Sequence, residues 1–145
     1  MFIGEYKHSL DQKGRLAIPY KFRVSLKKGA VVTKGLDNCL FLYTKQAWDK
    51  MAARMSSLPF NKANDRAMAR HFLAGAMEVK FDKQGRATLP EYLREFAGLK
   101  SKVIIAGLYD RLEIWDETAW NKYKQNTDKA SNAIAEALDG LGGDL

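Results

Sequence analysis

Two short segments of this 145-residue chain carry the same residue types at the same spacing. Leu10-Asp11-Gln12-Lys13-Gly14-Arg15-Leu16-Ala17-Ile18-Pro19 returns 71 positions later as Phe81-Asp82-Lys83-Gln84-Gly85-Arg86-Ala87-Thr88-Leu89-Pro90. Both reduce to apolar-Asp-x-x-Gly-Arg-x-x-apolar-Pro. On the tip of a hairpin, Gln12, Lys13 and Arg15, or Lys83, Gln84 and Arg86, would project long donors from a rigid two-stranded base. Such a ribbon fits the major groove of B-DNA, where Arg can bond guanine bidentately, Gln can bond adenine and Lys can neutralise phosphate. Gly14 would let the backbone approach a ligand closely, and Gly85 would close its turn at positive φ. Asp11 and Asp82 would shape the turns by accepting backbone N–H groups two residues on. The same carboxylates could simply pair with Arg15 and Arg86 across the turn, a surface arrangement worth about 0–1 kcal/mol. The two roles are compatible, because an Asp that shapes the turn can also orient the Arg that binds. A turn needs Asp and Gly but not the Arg after them, so its recurrence in both copies favours a binding role.

The elements that must position these residues repeat as well. Each copy opens as a hairpin, with strands around Tyr6 to Leu10 and Arg15 to Ile18, or Glu78 to Phe81 and Arg86 to Leu89. Pro19 and Pro90 stop the ladder and suit the first turn of a helix, over Tyr20 to Leu26 and Glu91 to Ala97. Gly29 and Gly98 are the stop signals. Two more strands follow in each copy, Ala30 to Lys34 with Cys39 to Tyr43, and Val103 to Ala106 with Leu112 to Trp115. Thr44 and Asp116 then cap helices that place Trp48, Met51 and Met55, or Trp120 and Tyr123, on one face. Between the copies, Ser56 to Asn61 reads as a break and Asn64 to Met77 as a helix with Met68, Phe72 and Met77 turned inward. The tail from Leu138 to Leu145 should fray.

The expected organisation is a first repeat at 5–55, a helical connection at 56–77, a second repeat at 78–125, and a C-terminal helix with its tail at 126–145. Neither repeat is large enough to bury its own apolar face, so the two should pack about a pseudo-two-fold axis around one core.

Composition limits the function. The chain is 46% hydrophobic, with no apolar run near the ~20 residues a membrane span needs, and its N-terminus is too polar for a signal peptide. We expect no membrane association and a cytoplasmic location. One cysteine, Cys39, and two histidines, His8 and His71, give neither a disulfide framework nor a zinc site, so no metal and no cofactor are expected. Cys39 reads as a small buried hydrophobe. The net charge of +7 calls for an anionic partner. It is concentrated in residues 1–70, with 14 Lys/Arg against 5 Asp/Glu, whereas residues 71–145 have 10 against 12. An enzyme on a small β-barrel is one rival, but there is no G-x-S-x-G, P-loop or recognisable carboxylate pair, and no small-molecule substrate is evident. A protein-interaction module that docks an acidic partner on its basic tips is the other.

Met1-Phe2-x-Gly4, the Leu10-Asp11-x-Lys13-Gly14-Arg15-x-x-Ile18-Pro19 block and the second Asp82-x-x-x-Arg86 resemble the MraZ family of bacterial transcriptional regulators, in the AbrB-like superfamily. The resemblance covers nearly the whole chain. It implies an α+β fold in which the two repeats form one pseudo-two-fold swapped-hairpin β-barrel with flanking helices. It also implies ring-like homo-oligomers, nucleoid association, and binding of double-stranded DNA at direct repeats in the promoter of the division and cell-wall gene cluster. By that likeness Lys13 and Arg15 are the first motif's DNA contacts and Arg86 the second's. The second copy has Gln84 in the place of Lys13 and lies in the acidic half, so the first copy is expected to contribute more. One tip offers few contacts, and an oligomer presenting several would gain ~10²-fold or more in avidity.

Overall fold

A computed structural model of the protein describes residues 1–138; the tail expected to fray lies, after Leu138, outside the described residues. The first repeat contributes β1 (Phe2–Ser9), β2 (Arg15–Ala17), α1 (Tyr20–Leu26), β3 (Ala30–Lys34), β4 (Leu40–Thr44) and α2 (Lys45–Ser56). Then come α3 (Ala63–Ala69) and a π-helical turn, Arg70–Ala74. The same series returns as β5 (Met77–Val79), β6 (Arg86–Thr88), α4 (Glu91–Phe96), β7 (Lys102–Tyr109), β8 (Leu112–Asp116) and α5 (Glu117–Ala137). Local chemistry sets these boundaries. Pro19 and Pro90, which have no N–H to give a ladder, stand immediately before α1 and α4. The Thr44 hydroxyl accepts the Ala47 N–H at 3.1 Å, and the Asp116 carboxylate accepts that of Ala119 at 3.3 Å, capping α2 and α5.

The strands form a six-stranded antiparallel sheet in the order β1-β7-β8-β4-β3-β5 and a separate two-stranded ribbon, β2-β6. Four of the six strand pairings join one repeat to the other. The opening strand β1 lies against β7 from Phe2↔Tyr109 to Ser9↔Lys102, and β5 lies against β3. The strands β4 and β8 pair with each other, as do β2 and β6. Each repeat thus gives its first strand to its sister. Pairing along the full length of β7 also makes β1 start at Phe2, four residues before the strand expected from alternation alone. The fold is α+β, but the sheet does not close into a ring. Its ends are β1 and β5, with no ladder between them among the described residues, because past the Asp turns the chain leaves the sheet and β2 and β6 pair with each other.

Side chains alternate across the sheet. One face, with both hairpins and both short helices, buries Leu16, Ile18, Phe22, Leu26, Leu40, Leu42, Ala87, Leu89, Leu93, Ile105 and Ile114 in a single core shared by the two repeats. Burying a leucine or isoleucine contributes about 1.5–3 kcal/mol, which is what holds two sub-marginal repeats together. The opposite face gathers Cys39, Phe41, Tyr43, Met51, Phe72, Ile104 and Trp115 under α2 and α5, with Trp48, Met55 and Trp120 at its border.

The segment between the repeats differs from the single helix read over Asn64 to Met77. Helix α3 runs into the π-helical turn, and by Met77 the chain is already the strand β5. Phe72 is buried, but Met68 and Met77 are 38% and 43% exposed. The cause is tertiary. The Thr33 hydroxyl donates to the Phe72 carbonyl at 2.7 Å and a His71 ring nitrogen lies 2.8 Å from the Gly35 carbonyl, fixing the turn on β3 so that β5 can enter the sheet. In β5 it is Val79, not Met77, that faces the core.

Gly107 stands opposite Gly4 where β1 crosses β7. A Cβ at position 107 would lie 2.5 Å from the Ile3 nitrogen and 2.6 Å from the Phe2 carbonyl carbon, both backbone atoms. Gly107→Ala should therefore loosen β1 and lower the unfolding free energy by about 1–3 kcal/mol, as overpacking does. Denaturant unfolding followed by circular dichroism measures this, and wild-type stability in the variant would contradict the close approach.

Candidate nucleic-acid interface

Each doubled motif folds into a turn whose organiser is the aspartate. In the first, Asp11 Oδ1 accepts the backbone N–H of Lys13 at 3.0 Å and of Arg15 at 2.8 Å, while Oδ2 accepts Arg15 Nε at 2.6 Å. The Gly14 N–H donates to the Asp11 carbonyl at 3.0 Å, and Gly14 takes φ of 78°, open to glycine at little cost. The second turn matches it bond for bond. Asp82 Oδ1 accepts from Gln84 N–H at 2.9 Å and Arg86 N–H at 3.0 Å, Oδ2 accepts Arg86 Nε at 3.0 Å, and Gly85 has φ of 75°. Both carboxyls titrate below the ordinary Asp range, chiefly because the backbone N–H of Arg15 or of Arg86 is bonded to the ionised form.

Arg15 and Arg86 emerge on one face of the ribbon. The register is Arg15↔Thr88, Leu16↔Ala87, Ala17↔Arg86, and Leu16 and Ala87 are buried toward the core. The residues on either side of that pair point away from the core, which sets the two arginines diagonally across it, roughly 7–8 Å apart at their backbones. Their Nε atoms are held by the aspartates, and their terminal Nη groups make no hydrogen bond among the described residues. Gln12, Lys13, Lys83 and Gln84 are exposed at the tips, and none of the four side chains is ion-paired or hydrogen-bonded among the described residues.

The tips are cross-braced. The Leu89 N–H donates to the Gly14 carbonyl at 2.8 Å, and the Ile18 N–H donates to the Gly85 carbonyl at 3.1 Å. Two further arginines complete the brace. Arg94 donates from Nε to the Leu89 carbonyl at 3.0 Å and lies over Gly14, where a Cβ would come within 2.8 Å of it. Arg23 donates to the Ile18 carbonyl at 2.9 Å and covers Gly85 just as closely. These two were not singled out from sequence, although their spacing is again 71. They also cross the repeats, so the basic helix α1 serves the second tip and α4 serves the first. The positive charge of the first half therefore does not stay beside the first tip.

The remaining candidates lie apart from this face or on its margin. His8, half-buried on β1, is pushed below its ordinary pKa by burial and then by Arg23, which favours the neutral ring. Cys39 is fully buried, donates weakly to the Leu36 carbonyl at 3.2 Å, and is raised far above the ordinary thiol range by burial. A thiol so buried and protonated is a poor nucleophile. Among the described residues no three His, Cys, Asp or Glu side chains converge as a metal site, and no helix is long and apolar enough to cross a membrane.

A family model described as "MraZ protein, putative antitoxin-like" matches residues 1–71 and again residues 72–140, one match for each copy of the braced tip. A protein of Acetivibrio thermocellus named Transcriptional regulator MraZ is 48% identical over 142 residues, covering 98% of this chain and 99% of its own length. Like-named proteins of Syntrophomonas wolfei, at 48%, and Halothermothrix orenii, at 45%, have the same coverage.

The aspartate bonds carry a pH signature. A carboxyl whose pKa is lower in the folded than in the unfolded chain stabilises the fold above its unfolded value, near pH 4, and that contribution fades as pH falls through the folded value. The melting temperature should therefore fall on acidification below about pH 4. The D11N/D82N double variant should melt lower at neutral pH and lose less in acid. Thermal melts at stepped pH measure this, and parallel acid profiles for the two proteins would show that these carboxyls do not contribute.

Proposed function

This chain belongs to the MraZ family, and on that premise we propose that it regulates transcription by gripping double-stranded DNA on its paired Asp–Arg tips. The observation that carries this reading is the common outward face of the ribbon, where Arg15 and Arg86 stand diagonally across from each other, each steered by its aspartate and each with terminal donors unbonded among the described residues. Aspartate supplies geometry and arginine supplies recognition. A guanidinium held at Nε presents its Nη edge in a fixed direction, as bidentate bonding to guanine O6 and N7 requires. Lys13 and Lys83 flank it as phosphate partners, and Gln12 and Gln84 can reach base edges or phosphate oxygens. Gly14 and Gly85 are buried beneath Arg94 and Arg23, so they leave room for the braces and do not themselves touch the duplex.

The finer features are those the family resemblance implies. The target is a set of direct repeats in the promoter of the division and cell-wall gene cluster, occupied by a ring-like homo-oligomer that adds several weak tips into one strong attachment. The exchange of β1 and β5 between the repeats supports the AbrB-like swapped-hairpin arrangement, with repeats at 5–55 and 78–125. The protein acts in the cytoplasm at the nucleoid. It is a regulator and not an enzyme, in keeping with the names its relatives carry.

Arg15→Ala should abolish binding to a duplex bearing the promoter repeats while leaving the circular dichroism spectrum and the oligomer mass unchanged. Removing a bidentate arginine–guanine pair costs about 1–3 kcal/mol, and the removal recurs in every protomer. Wild-type affinity should fall by about 0.9 log unit per log unit of salt for each phosphate neutralised. Fluorescence anisotropy titrations test both, and an Arg15→Ala variant that binds like wild type, or a flat salt response, would sink the proposal.

A further inference from the structure

Beside the second tip lies a concave surface of about 250 Å³ lined by Arg23, Lys27, Phe81, Asp82, Lys83 and Gly85. Its cations come from both repeats, Arg23 and Lys27 from α1 and its C-terminal end, Lys83 from the tip. The one carboxylate among them is committed, since Asp82 already bonds the backbone of Gln84 and Arg86 and the Arg86 side chain. Arg23 is not a swinging side chain. Its Nε is tied to the Ile18 carbonyl and its guanidinium rests on Gly85, where a Cβ would overlap it. None of Arg23, Lys27 and Lys83 makes an ion pair among the described residues. Three cationic residues line the hollow and, among the described residues, no uncommitted carboxylate does, which creates a local potential that a tetrahedral oxyanion relieves.

We propose that this cleft is a phosphate-binding subsite that takes a backbone phosphate of the same duplex whose bases Arg86 contacts. The inference rests on the nucleic-acid reading above and adds to it a second, sequence-independent grip. The duplex is favoured as the phosphate's source because Asp82, Lys83 and Gly85 are at once the wall of the cleft and the tip that presents Arg86, so a strand lying on that tip runs past the cleft. The first tip lacks an equivalent. At the position 71 residues after Lys27 stands Gly98, and where the second tip has Lys83 the first has Gln12. The first tip carries its own cation, Lys13, at the place where the second has Gln84. Each tip therefore bears one apical lysine, Lys13 or Lys83, at a different step of the turn, and the second adds Lys27 beside its bracing arginine where the first has Gly98, giving a pseudo-symmetric protomer a fixed direction on the duplex.

The test uses the full chain and its exposed Lys27, with Lys28 as the control. Lys28→Gln removes the same charge one residue away, from a side chain that does not line this cleft and that shares with Lys27 only the neighbouring one of Met1, Val24 and Lys45. Anisotropy titrations against a promoter-repeat duplex and a mixed-sequence duplex should show Lys27→Gln weakening both by the same factor, with each salt slope shallower by about 0.9 for every phosphate the variant leaves unneutralised. Lys28→Gln should leave the slopes unchanged. Equal slopes for the two variants would overturn the subsite as a mere effect of net charge. Inorganic phosphate, titrated by calorimetry, separates the sources. Binding of free phosphate that Lys27→Gln abolishes, with duplex affinity untouched, would overturn the duplex assignment. Duplex binding that Arg15→Ala abolishes and Lys27→Gln leaves alone ends the subsite but spares the parent reading; a wild-type chain that binds no duplex ends both.

Discussion

Two backbone hydrogen bonds, from Leu89 N–H to the Gly14 carbonyl and from Ile18 N–H to the Gly85 carbonyl, make each tip a part of the other repeat. The strands β2 and β6 have three residues each, far too few to be stable as a free two-stranded ribbon. They persist because Leu16 and Ala87 are buried beneath them and because Arg23 and Arg94 reach across to the opposite glycines. A side chain on either glycine would meet its arginine, and a glycine without its positive φ could not turn the carbonyl toward the partner strand. The residues that shape the turn, brace it and cover it are thus one mutually dependent set. Neither repeat can present its arginine correctly unless the other is folded beside it.

That dependence explains why the Asp–Arg pairs matter despite their exposure. An exposed ion pair contributes little to stability, about 0–1 kcal/mol, and each pair is electrically neutral, so neither adds to the field that attracts DNA. What the aspartate contributes is direction. With one oxygen on two backbone N–H groups and the other on Nε, it fixes both the loop and the plane of the guanidinium and leaves the Nη edge outward. The long-range field comes from cations outside those pairs, among them Lys13, Arg23, Lys27, Lys83 and Arg94. In the proposed reading, recognition and attraction therefore fall to different side chains.

Much of this was legible in the sequence, for a definite reason. The Asp-x-x-Gly turns, the prolines before α1 and α4, and the Thr44 and Asp116 caps are local devices, set by residues within four positions of one another, and the structure places each of them where the pattern did. Long-range partners leave no such local trace. Nothing in Phe2–Ser9 says that its partner is Lys102–Tyr109 in the other repeat, and the alternating pattern alone marked only the second half of β1. The helix read through Met77 failed for the same reason, since Thr33 on the distant strand β3 and Gly35 just after it dictate where the helix ends. At the candidate site the tip residues were visible as a repeated motif, whereas Arg23 and Arg94 were not, because an arginine on a short amphipathic helix reads as solvated surface. A search of the 71-residue spacing for cations beyond the motif would have found them.

Fusion of both copies in one chain has a consequence for asymmetry. In a dimer of identical subunits every substitution at one tip is made at the other, so a charge moved on one side moves on both. Here the backbone obeys the pseudo-two-fold relation closely, with matched φ at Gly14 and Gly85 and matched bonds at Asp11 and Asp82. The side chains do not, with Gln12 against Lys83, Lys13 against Gln84 and Lys27 against Gly98. The constraint of mutual bracing falls on Asp, Gly and Arg, and these are the residues the copies share. Around them the charges are free to differ. Because α1 braces the second tip, an excess of cations in the first half of the chain becomes an excess beside the second tip. Strand and helix exchange thereby spreads a lopsided charge over both tips, although the sequence looks basic only in its first half.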